Sequence, residues 1–525
     1  MNNRRVFSNT YWILRWPTTK MFRAVNSFNR ILMANGMRNF SALVQTKALV
    51  NGNWVNSSNN DVFEVKNPAN GEVIGQVPNM TVADAQEAIC AAKQAFESKE
   101  WRSMTAKDRS NLLKKWHKLI EQHTDEIAEI MTAESGKPIN ESKGEVMYGN
   151  AFVEWFAEEA RRIYGEIVPS GAPNREIIVM KQPIGVAALI TPWNFPMAMI
   201  TRKAGAALAA GCTVVVKPSE DTPLTALAVA KLAEDAGIPK GVINVITTNK
   251  AAPIGDLFCK SPDVRGISFT GSTEVGKLLF RNAADGIKRV CLELGGNAPF
   301  IVFDTANVEK AVDGAMASKF RNCGQTCVSA NRFFVQEGVY DKFVSQLKQR
   351  VEALKVGQGQ SCDVQIGPLI NKMQFDKVSA FVEDARSKSA NIISGGKNIP
   401  ELGSLFYAPT IITDVPPTAK LYTEEVFGPV ASIIKFKDEA EAIQKANDTR
   451  RGLAGYFYSD NLQQVFRVAK RMEVGMVGVN EGIISAVEAP FGGVKESGVG
   501  REGSRHGIDD YVDIKYICMG NLKYD

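Results

Sequence analysis

Two side chains that are able to do covalent and acid–base chemistry lie near each other in this sequence. Cys327 ends the segment Phe-Arg-Asn-Cys-Gly-Gln-Thr-Cys, and Glu293, which opens the segment Glu-Leu-Gly-Gly-Asn, precedes it by 34 residues. A thiol with an ordinary pKa of about 8.5 is mostly protonated at pH 7, yet it is a strong nucleophile. A carboxyl group at the end of an apolar strand can act as a general base, because burial raises its pKa. Each residue alone also has a structural interpretation, since free cysteines are usually small buried side chains and a carboxylate can form a salt bridge.

Glu293 ends a region that alternates short apolar runs with helical patterns, which predicts βαβ units around a parallel sheet. The predicted strands are 184–190, 213–217, 242–247, 265–269 and 289–294. The predicted helices between them are 196–210, 223–236 and 273–283. The alternation resumes with a strand at 299–303, a helix at 308–320 and a strand at 332–336. The pattern therefore predicts an α/β protein with a doubly wound nucleotide-binding sheet and a second α/β domain.

One end of that predicted sheet carries residues suited to a dinucleotide. Lys217 and Glu220 follow the carboxyl end of strand 213–217, which is where open α/β sheets bind ligands. A lysine there can donate to ribose hydroxyls, and a carboxylate accepts from a 2′-hydroxyl while repelling a 2′-phosphate. Gly271 and Ser272 precede helix 273–283, whose N-terminus suits a pyrophosphate. These features predict NAD in preference to NADP.

The segment at 271–277 also nearly matches a P-loop, which would indicate a different class of enzyme. The residue after Lys277 is Leu278, and it has no hydroxyl group to hold Mg²⁺. The P-loop interpretation is therefore rejected.

Further motifs accompany the cysteine segment. They are Pro-Trp-Asn-Phe-Pro at 192–196, Lys-Pro-Ser-Glu at 217–220, Phe-Thr-Gly-Ser-Thr at 269–273, Glu-Val-Phe-Gly-Pro at 425–429 and Pro-Phe-Gly-Gly-Val-Lys at 490–495. Together they resemble the aldehyde dehydrogenase superfamily over about residues 49–519, in that family's order and spacing. The resemblance implies a Rossmann-like NAD-binding domain, a catalytic domain and a small β oligomerisation arm.

The resemblance also implies a mechanism. Cys327 is expected to form a thiohemiacetal and then a thioester, with Glu293 as the base on water or on the thiol. The Asn194 amide and the Cys327 backbone N–H are expected to donate to the oxyanion. The expected cofactor-binding residues are Trp193, Lys217, Ser219, Glu220, Gly271, Ser272, Gly276, Glu425 and Phe427. NAD is the expected cofactor, and no metal site is predicted. The alternative from a different functional class is a homologue that binds NAD but catalyses no reaction.

Arg202, Arg321 and Ser485 resemble the carboxylate-binding residues of one subfamily, the succinate-semialdehyde dehydrogenases. A guanidinium group presents a planar fork that matches a carboxylate, so two arginines favour a short aldehyde acid over a neutral aldehyde. We expect succinate semialdehyde, an intermediate of GABA degradation, as the substrate. Glutarate semialdehyde stays open, because one methylene is worth only about 1–3 kcal/mol. For either arginine, a structural ion pair remains the alternative interpretation.

The sequence departs from that subfamily at Ser329, where many members carry a second cysteine that can form a reversible disulfide with the nucleophile. That redox switch is therefore predicted to be absent. Cys323, four residues before Cys327, is a candidate substitute, although a small side chain in the core is the simpler interpretation.

The charge distribution bears on partners and location. Eight Lys or Arg residues and no acidic residue precede Asp61, a composition typical of a mitochondrial transit peptide, with a basic tail as the alternative. Residues after position 48 carry 54 basic and 57 acidic side chains, so no nucleic-acid surface is expected. We find no uninterrupted apolar stretch near the roughly 18 residues that are needed to cross a bilayer. The eight cysteines form no Cys-x-x-Cys pair, so neither a zinc site nor a dense disulfide framework is indicated. A reducing compartment, the mitochondrial matrix, is predicted.

A chain of 525 residues is too long for one core, so several domains are expected. The predicted divisions are a transit peptide at 1–45, an NAD-binding domain at 46–164 and 183–298, a catalytic domain at 299–500, and oligomerisation segments at 165–182 and 501–525. The alternating segments 165–181 and 509–518 are predicted to pair with each other or with a partner subunit, since neither is stable alone. The resemblance implies a homotetramer, with a dimer left open.

Overall fold

The computed structural model describes residues 43–523, so most of the predicted transit peptide lies outside the described residues. The described chain begins with four short strands, β1 (Ala48–Val50), β2 (Asn53–Val55), β3 (Val62–Lys66) and β4 (Val73–Pro78). Five helices follow, namely α1 (Val82–Glu97), α2 (Lys99–Arg102), α3 (Ala106–Gln122), α4 (Thr124–Ser135) and α5 (Ile139–Glu159). Thr81 and Thr105 begin α1 and α3 with reciprocal capping boxes, which satisfy amides that lack partners within the helix. Within residues 43–523 no helix is both long and apolar enough to span a membrane.

Strands and helices then alternate. The elements are β5 (Glu166–Val168), β6 (Glu176–Pro183), β7 (Val186–Ile190), α6 (Ala198–Ala210), β8 (Thr213–Lys217), α7 (Pro223–Asp235), β9 (Ile243–Val245), α8 (Ala251–Lys260), β10 (Val264–Thr270), α9 (Thr273–Ala283) and β11 (Arg289–Glu293). The prediction placed the start of β7 two residues too early. Gly185 has a φ of +123°, a conformation that separates β6 from β7.

The second alternating block also follows the prediction. It contains β12 (Ala298–Val302), α10 (Val308–Phe320), β13 (Ala330–Gln336), α11 (Tyr340–Glu352), α12 (Lys372–Ser387), β14 (Asn391–Ser394), β15 (Thr410–Thr413), α13 (Lys420–Thr423), β16 (Val430–Phe436), α14 (Glu439–Asn447), β17 (Arg451–Gly452), β18 (Ala454–Tyr458), α15 (Leu462–Arg471) and β19 (Met476–Val479). The described chain ends with β20 (Val494–Lys495), β21 (Gly498–Val499) and β22 (Val512–Met519). Short 3₁₀ turns occupy Ala160–Arg162, Ala284–Gly286, Arg321–Gly324 and Arg505–Tyr511.

The first large sheet, traced through the described residues, has eight strands in the order β2-β1-β9-β8-β7-β10-β11-β21. Its centre, from β9 to β11, is parallel. The chain builds from β7 towards β9 on one side and then returns to add β10 and β11 on the other, so the strand order reverses between β7 and β10. Open α/β sheets bind ligands at the carboxyl ends of the strands beside such a reversal.

The second large sheet has seven strands within residues 43–523, in the order β14-β15-β16-β13-β12-β18-β19. All neighbours are parallel except β14 and β15. Helix α10 packs beside this sheet, and the chain between α10 and β13 contains Cys327. The predicted second α/β unit is confirmed, whereas the domain boundaries stay a prediction.

Three apolar clusters support the two sheets. Ala187 and Leu189 of β7 belong to one cluster, and Val186 and Ala188 belong to another. Because successive residues of a strand face opposite sides of the sheet, the first sheet is covered on both faces. The third cluster packs around the second sheet and includes Phe300 and Phe333. The carboxyl ends of the central strands are thus held by buried layers on each side.

The two alternating segments of the sequence pair with each other. Strand β22 runs antiparallel to β6, from Val512 opposite Pro183 to Met519 opposite Glu176, and β5 pairs with the other edge of β6. This three-stranded arm exposes Ile167 by 76%, Ile514 by 72% and Tyr516 by 60%. The predicted pairing is confirmed. Because Ile167 aligns with Ile178 and Tyr516 aligns with Val179, both faces of the arm carry exposed apolar side chains.

Candidate active site

A cleft opens where the strand order of the first sheet reverses. The register aligns Ile190 with Lys217 and with Phe269, and Thr270 with Glu293, so these strands end at one level. The cleft has a volume of ≈ 300 Å³. Eight of the residues expected from the sequence line it, namely Trp193, Asn194, Gly271, Ser272, Glu293, Cys327, Glu425 and Phe427.

Glu293 is the last residue of β11 and is almost fully buried. Within the described chain, neither oxygen of its carboxyl group has a hydrogen-bond partner, and no salt bridge forms there. Burial raises the pKa of Glu293 well above its ordinary value, and the negative charge of Glu502 raises it further, whereas Arg202 and Lys203 oppose the rise. The salt-bridge interpretation of Glu293 is therefore wrong, and a carboxyl group with a raised pKa is suited to accept a proton.

Cys327 lies in the turn between α10 and β13, on the floor of the cleft. Burial raises the pKa of its thiol to about 12, and the charges of Glu425 and Glu293 act in the same direction. Arg202 and Arg321 oppose the rise. The ordinary pKa assumed from the sequence is therefore corrected upward, so the free thiol is protonated at neutral pH and needs a base to become a nucleophile.

The turn before Cys327 has an unusual backbone. Asn322 and Cys323 have φ angles of +51° and +55°, and Gly324 follows at +71°. A Cβ atom at Gly324 would lie 2.1 Å from the carbonyl oxygen of Gly428, so this position accepts only glycine without a shift. Cys323 is buried, and burial raises the pKa of its thiol strongly. Such a thiol reacts slowly, which favours its interpretation as a small side chain in the core.

Asn194 lies in the turn between β7 and α6 and reaches the cysteine turn. Its side-chain Nδ2 donates to the carbonyl oxygen of Gln325 at 3.1 Å. Gln325 is itself fixed, because its Oε1 accepts the backbone N–H of Ile370 at 3.0 Å. An amide nitrogen carries two hydrogens, so Asn194 retains one donor for a ligand beside Cys327.

The start of α9 lines one side of the cleft. Gly271 and Ser272 lead into this helix, and the Ser272 hydroxyl accepts the backbone N–H of Val275 at 3.4 Å. The remaining amides of the first turn are suited to an anion. Gly276 does not line the cleft. A Cβ atom there would lie 2.3 Å from Leu294 Cδ2, so this glycine permits α9 to pack closely on the sheet.

Aromatic and acidic side chains form the opposite wall. The rings of Trp193 and Phe427 meet edge to face at 5.5 Å. The Glu425 carboxylate accepts the backbone N–H of Gly296 at 3.1 Å, and burial raises its pKa. Phe427 has a φ of +54°, and Gln374 Nε2 donates to its carbonyl oxygen at 2.6 Å.

Four of the expected cofactor residues lie outside this cleft. Besides Gly276, three of them lie at the carboxyl end of β8. Lys217 Nζ donates to Glu220 Oε2 at 3.0 Å, and the Glu220 side chain is exposed. The Ser219 hydroxyl accepts the backbone N–H of Asp221 at 3.3 Å. Because β8 pairs with β7, these residues extend the same edge of the sheet beyond the cleft.

Sequence reasoning missed part of the cleft. Helix α12 and the turn before it contribute Asn371, Met373, Gln374 and Lys377 to its lining. Their only sequence signal is a spacing that places Met373, Gln374 and Lys377 near one side of a helix. Such a spacing is common on helices that bind nothing, so it could not identify them.

The three expected substrate residues lie on another side of Cys327, around Tyr148, which was also missed. Burial raises the pKa of Tyr148, whereas Arg202, Arg321 and the neighbouring Ser485 side chain oppose this rise. Arg202 is buried, forms an ion pair with Glu502 and lies 4.5 Å over the ring of Phe491. The structural ion pair left open for Arg202 is therefore present.

The two arginines still offer donors at this place. Arg202 Nη2 has no hydrogen-bond partner within residues 43–523. Arg321 forms no ion pair with any described residue, and its guanidinium group lies 5.4 Å over the ring of Phe195. The region beside Cys327 thus combines two guanidinium groups with the hydroxyls of Tyr148 and Ser485.

Comparisons with known proteins agree with this geometry. Residues 54–517 match the model of the aldehyde dehydrogenase family. The chain is 54% identical over 485 residues to the mitochondrial succinate-semialdehyde dehydrogenase of Homo sapiens, covering 92% of this chain and 90% of that protein. It is 54% identical over 480 residues to a glutarate-semialdehyde dehydrogenase of Pseudomonas aeruginosa, covering 91% and 99% of the two chains. A crystal structure of an E. coli NADP-dependent enzyme superposes with a TM-score of 0.90 at 53% identity, covering 92% and 99%. The chain therefore belongs to the aldehyde dehydrogenase family.

Proposed function

We propose that this enzyme oxidises succinate semialdehyde to succinate with NAD. The observation that carries the proposal is the arrangement around Cys327, with the cleft at the strand reversal on one side and Arg202, Arg321, Tyr148 and Ser485 on another. Two guanidinium groups and two hydroxyls match the terminal carboxylate of a short aldehyde acid. The names of the human and Pseudomonas relatives support a dicarboxylic semialdehyde.

The chemistry follows from the positions of three side chains. Glu293 removes the proton of the Cys327 thiol, and the sulfur adds to the aldehyde carbon to form a thiohemiacetal. The oxygen that gains charge receives hydrogen bonds from Asn194 Nδ2 and the Cys327 backbone N–H. A bound nicotinamide dinucleotide supplies the hydride acceptor. Glu293 releases the thiol proton to solvent and then removes a proton from water, which attacks the resulting thioester. The carbon–sulfur bond breaks, the Cys327 sulfur takes up the proton held by Glu293, and the carboxylate leaves.

The residues of the cleft fit a nicotinamide dinucleotide. The start of α9 offers backbone amides to an anion. Gly271 accommodates the ring of Phe269, which a Cβ atom at this position would meet at 2.4 Å. We infer that the adenosine ribose lies at Lys217 and Glu220, where the Glu220 carboxylate would repel a 2′-phosphate. The similar E. coli enzyme is described as NADP-dependent, so the preference needs a direct test. Initial rates with NAD and NADP at equal concentrations decide it, and a strong preference for NADP would contradict the assignment.

The substrate assignment is tested by pairs of aldehydes. Succinate semialdehyde and butanal share a four-carbon chain, but only the first carries a carboxylate. Arg321→Met is expected to lower kcat/KM for succinate semialdehyde by roughly 10- to 100-fold, since a hydrogen bond to a charged group is worth about 1.5–3 kcal/mol. The value for butanal should stay within about twofold of wild type. An equal loss with both aldehydes would show that Arg321 does not bind the carboxylate.

Glutarate semialdehyde belongs in the same panel. A chain longer by one methylene moves the carboxylate by little more than one ångström relative to Cys327, so discrimination of about 10- to 200-fold is the most that a pocket of fixed length provides. A higher kcat/KM for glutarate semialdehyde than for succinate semialdehyde would reassign the substrate without changing the mechanism.

We further propose a homotetramer in the mitochondrial matrix. Support for the location comes from the basic segment before Asp61, which lacks acidic residues, and from the mitochondrial human relative. Support for the assembly comes from the exposed apolar side chains of β5 and β22. Light scattering of the purified enzyme gives the subunit number, and imaging of a fluorescent fusion with and without residues 1–45 tests the leader.

A further inference from the structure

A buried ion pair lies behind the active site and has no part in the mechanism above. Lys137, in the turn between α4 and α5, pairs with Glu145 of α5, and both side chains are 1% exposed. Removing two charges from water is costly unless further hydrogen bonds satisfy them. The contacts of this pair therefore show which part of the fold it stabilises.

The carboxylate contacts the start of helix α6. Glu145 Oε1 accepts the backbone N–H of Met197 at 2.9 Å and that of Ala198 at 3.3 Å. The first amides of a helix have no partner within the helix, and Met197, at the cap position, supplies none from its own side chain. Glu145 thus caps α6 from a different helix, and its negative charge suits the helix N-terminus.

The ammonium group of Lys137 contacts Asn194, which lies three residues before the cap residue Met197. Lys137 Nζ donates to the backbone carbonyl oxygen of Asn194 at 2.7 Å and lies 4.5 Å over the ring of Phe195. The same carbonyl oxygen accepts Asn322 Nδ2 at 2.9 Å. The five residues from 194 to 198 are therefore held at both ends by one ion pair.

We propose that the Lys137–Glu145 pair is a positioning device that fixes Asn194 for hydrogen bonding to the oxyanion at Cys327. The inference rests on the oxyanion role given to Asn194 in the proposed function. The ion pair acts on the backbone of the turn, and the Asn194 side chain carries that position to Gln325 and the cysteine turn through its 3.1 Å hydrogen bond. A displacement of about 1 Å in such a group can reduce the rate on the order of 100-fold.

A double-mutant cycle tests the proposal. Lys137→Met and Glu145→Gln are each combined with Asn194→Ala, and hydride transfer is followed by stopped-flow absorbance of NADH at saturating substrate. Each single variant should slow hydride transfer by about 30- to 100-fold while the Kd for NAD stays within about twofold. In the Asn194→Ala background, neither should add more than about a twofold loss, because the group that the pair positions is already gone.

Multiplicative losses in the double variants would overturn the proposal, since they would show that the pair acts independently of Asn194. Full activity of Asn194→Ala would instead overturn the oxyanion role of Asn194 and this inference with it. Glu145→Gln is nearly isosteric and keeps an acceptor for the two amides, so it decides the question if Lys137→Met does not fold. Lys137→Arg keeps the charge and should recover part of the rate.

Glu134 provides a matched control. Its buried carboxylate accepts the backbone N–H groups of Leu224 and Thr225 at 2.7 and 2.9 Å, so it holds the start of α7 as Glu145 holds the start of α6. Its hydrogen bonds do not reach the Asn194 segment. Glu134→Gln should leave hydride transfer at saturating NAD within about twofold of wild type. A loss equal to that of Glu145→Gln would show that capping any helix of this sheet has the same effect, which contradicts a specific role.

Discussion

Glu293→Gln removes the proposed base with almost no change of shape. Burial raises the pKa of the Cys327 thiol to about 12, so the thiol is mostly protonated at pH 8. Both oxygens of Glu293 lack partners within the described chain, which leaves them free to take a proton from the thiol or from water. Loss of a positioned general base typically costs about 10²–10⁴ in rate. We expect steady-state kcat to fall within that range.

Pre-steady-state kinetics shows which proton Glu293 moves. If the base acts on the thiol, the variant loses the rapid first turnover of NADH. If it acts only on water, one NADH per active site forms rapidly and a slow phase follows. The high thiol pKa leads us to expect loss of the burst. A variant with wild-type burst and wild-type steady state would refute the role of Glu293 altogether.

The same substitution has a second, independent consequence for stability. The folded-state pKa of Glu293 lies well above the unfolded value of 4.5. The folded protein therefore holds this proton more tightly, and ionisation penalises the folded state increasingly as pH rises from 4.5 through the folded pKa. Glu293→Gln removes that penalty, so its melting temperature relative to wild type should increase with pH between 5 and 9. Glu87→Gln, on the exposed side of α1, should give a nearly constant difference, and a constant difference for Glu293→Gln would refute the burial argument.

Three further predictions follow from the site and the arm. Cys327→Ala should abolish NADH formation while the Kd for NAD, measured by calorimetry, stays within about twofold, and residual turnover would refute the nucleophile. Glu220→Ser removes the carboxylate beside Lys217 and should raise the ratio of kcat/KM for NADP over NAD by roughly tenfold, equivalent to about 1.4 kcal/mol, whereas an unchanged ratio would move the ribose site elsewhere. Ile514→Lys places a charge on one exposed face of the arm. Because burying an isoleucine is worth about 1.5–3 kcal/mol, light scattering should show an assembly of fewer subunits. An unchanged mass would place the subunit interface elsewhere.

Local patterns predicted most of the elements around the site. Strand β8 and helices α9 and α10 have the predicted bounds. Their signals are local, because they consist of the apolar periodicity of each element and of the residues directly before and after it. The errors occur where distant residues intervene. Helix α6 begins at Ala198, two residues later than predicted, where Glu145 from α5 receives its first amides. Strand β9 ends at Val245, two residues early, and Thr247 Oγ1 donates to the carbonyl oxygen of Pro78 at 2.6 Å.

The motifs predicted the cleft better than its electrostatics. They named eight lining residues. Trp193, Gly271 and Glu293 lie where β7, β10 and β11 end at one edge of the first sheet, whereas Cys327 and Glu425 precede strands of the second sheet. They gave no sign of α12, whose cleft residues belong to no motif. The pKa of Cys327 was also beyond the sequence, because it depends on burial and on charges that tertiary structure brings near the thiol. The motifs could therefore identify which residues line the cleft, whereas the protonation states of these residues depend on the tertiary structure.

Arg202 forms a structural ion pair, and this pair does not exclude the proposed carboxylate-binding role. A structural ion pair and a carboxylate-binding role stood as alternatives, yet the ion-pair partner, Glu502, is shared with Lys203. Two cations on one carboxylate leave a positive charge, and Nη2 of Arg202 remains without a partner within residues 43–523. Arg321 adds a second positive charge near Tyr148. The ion pair therefore fixes the guanidinium group without neutralising the site, which is compatible with the proposed binding of a carboxylated aldehyde.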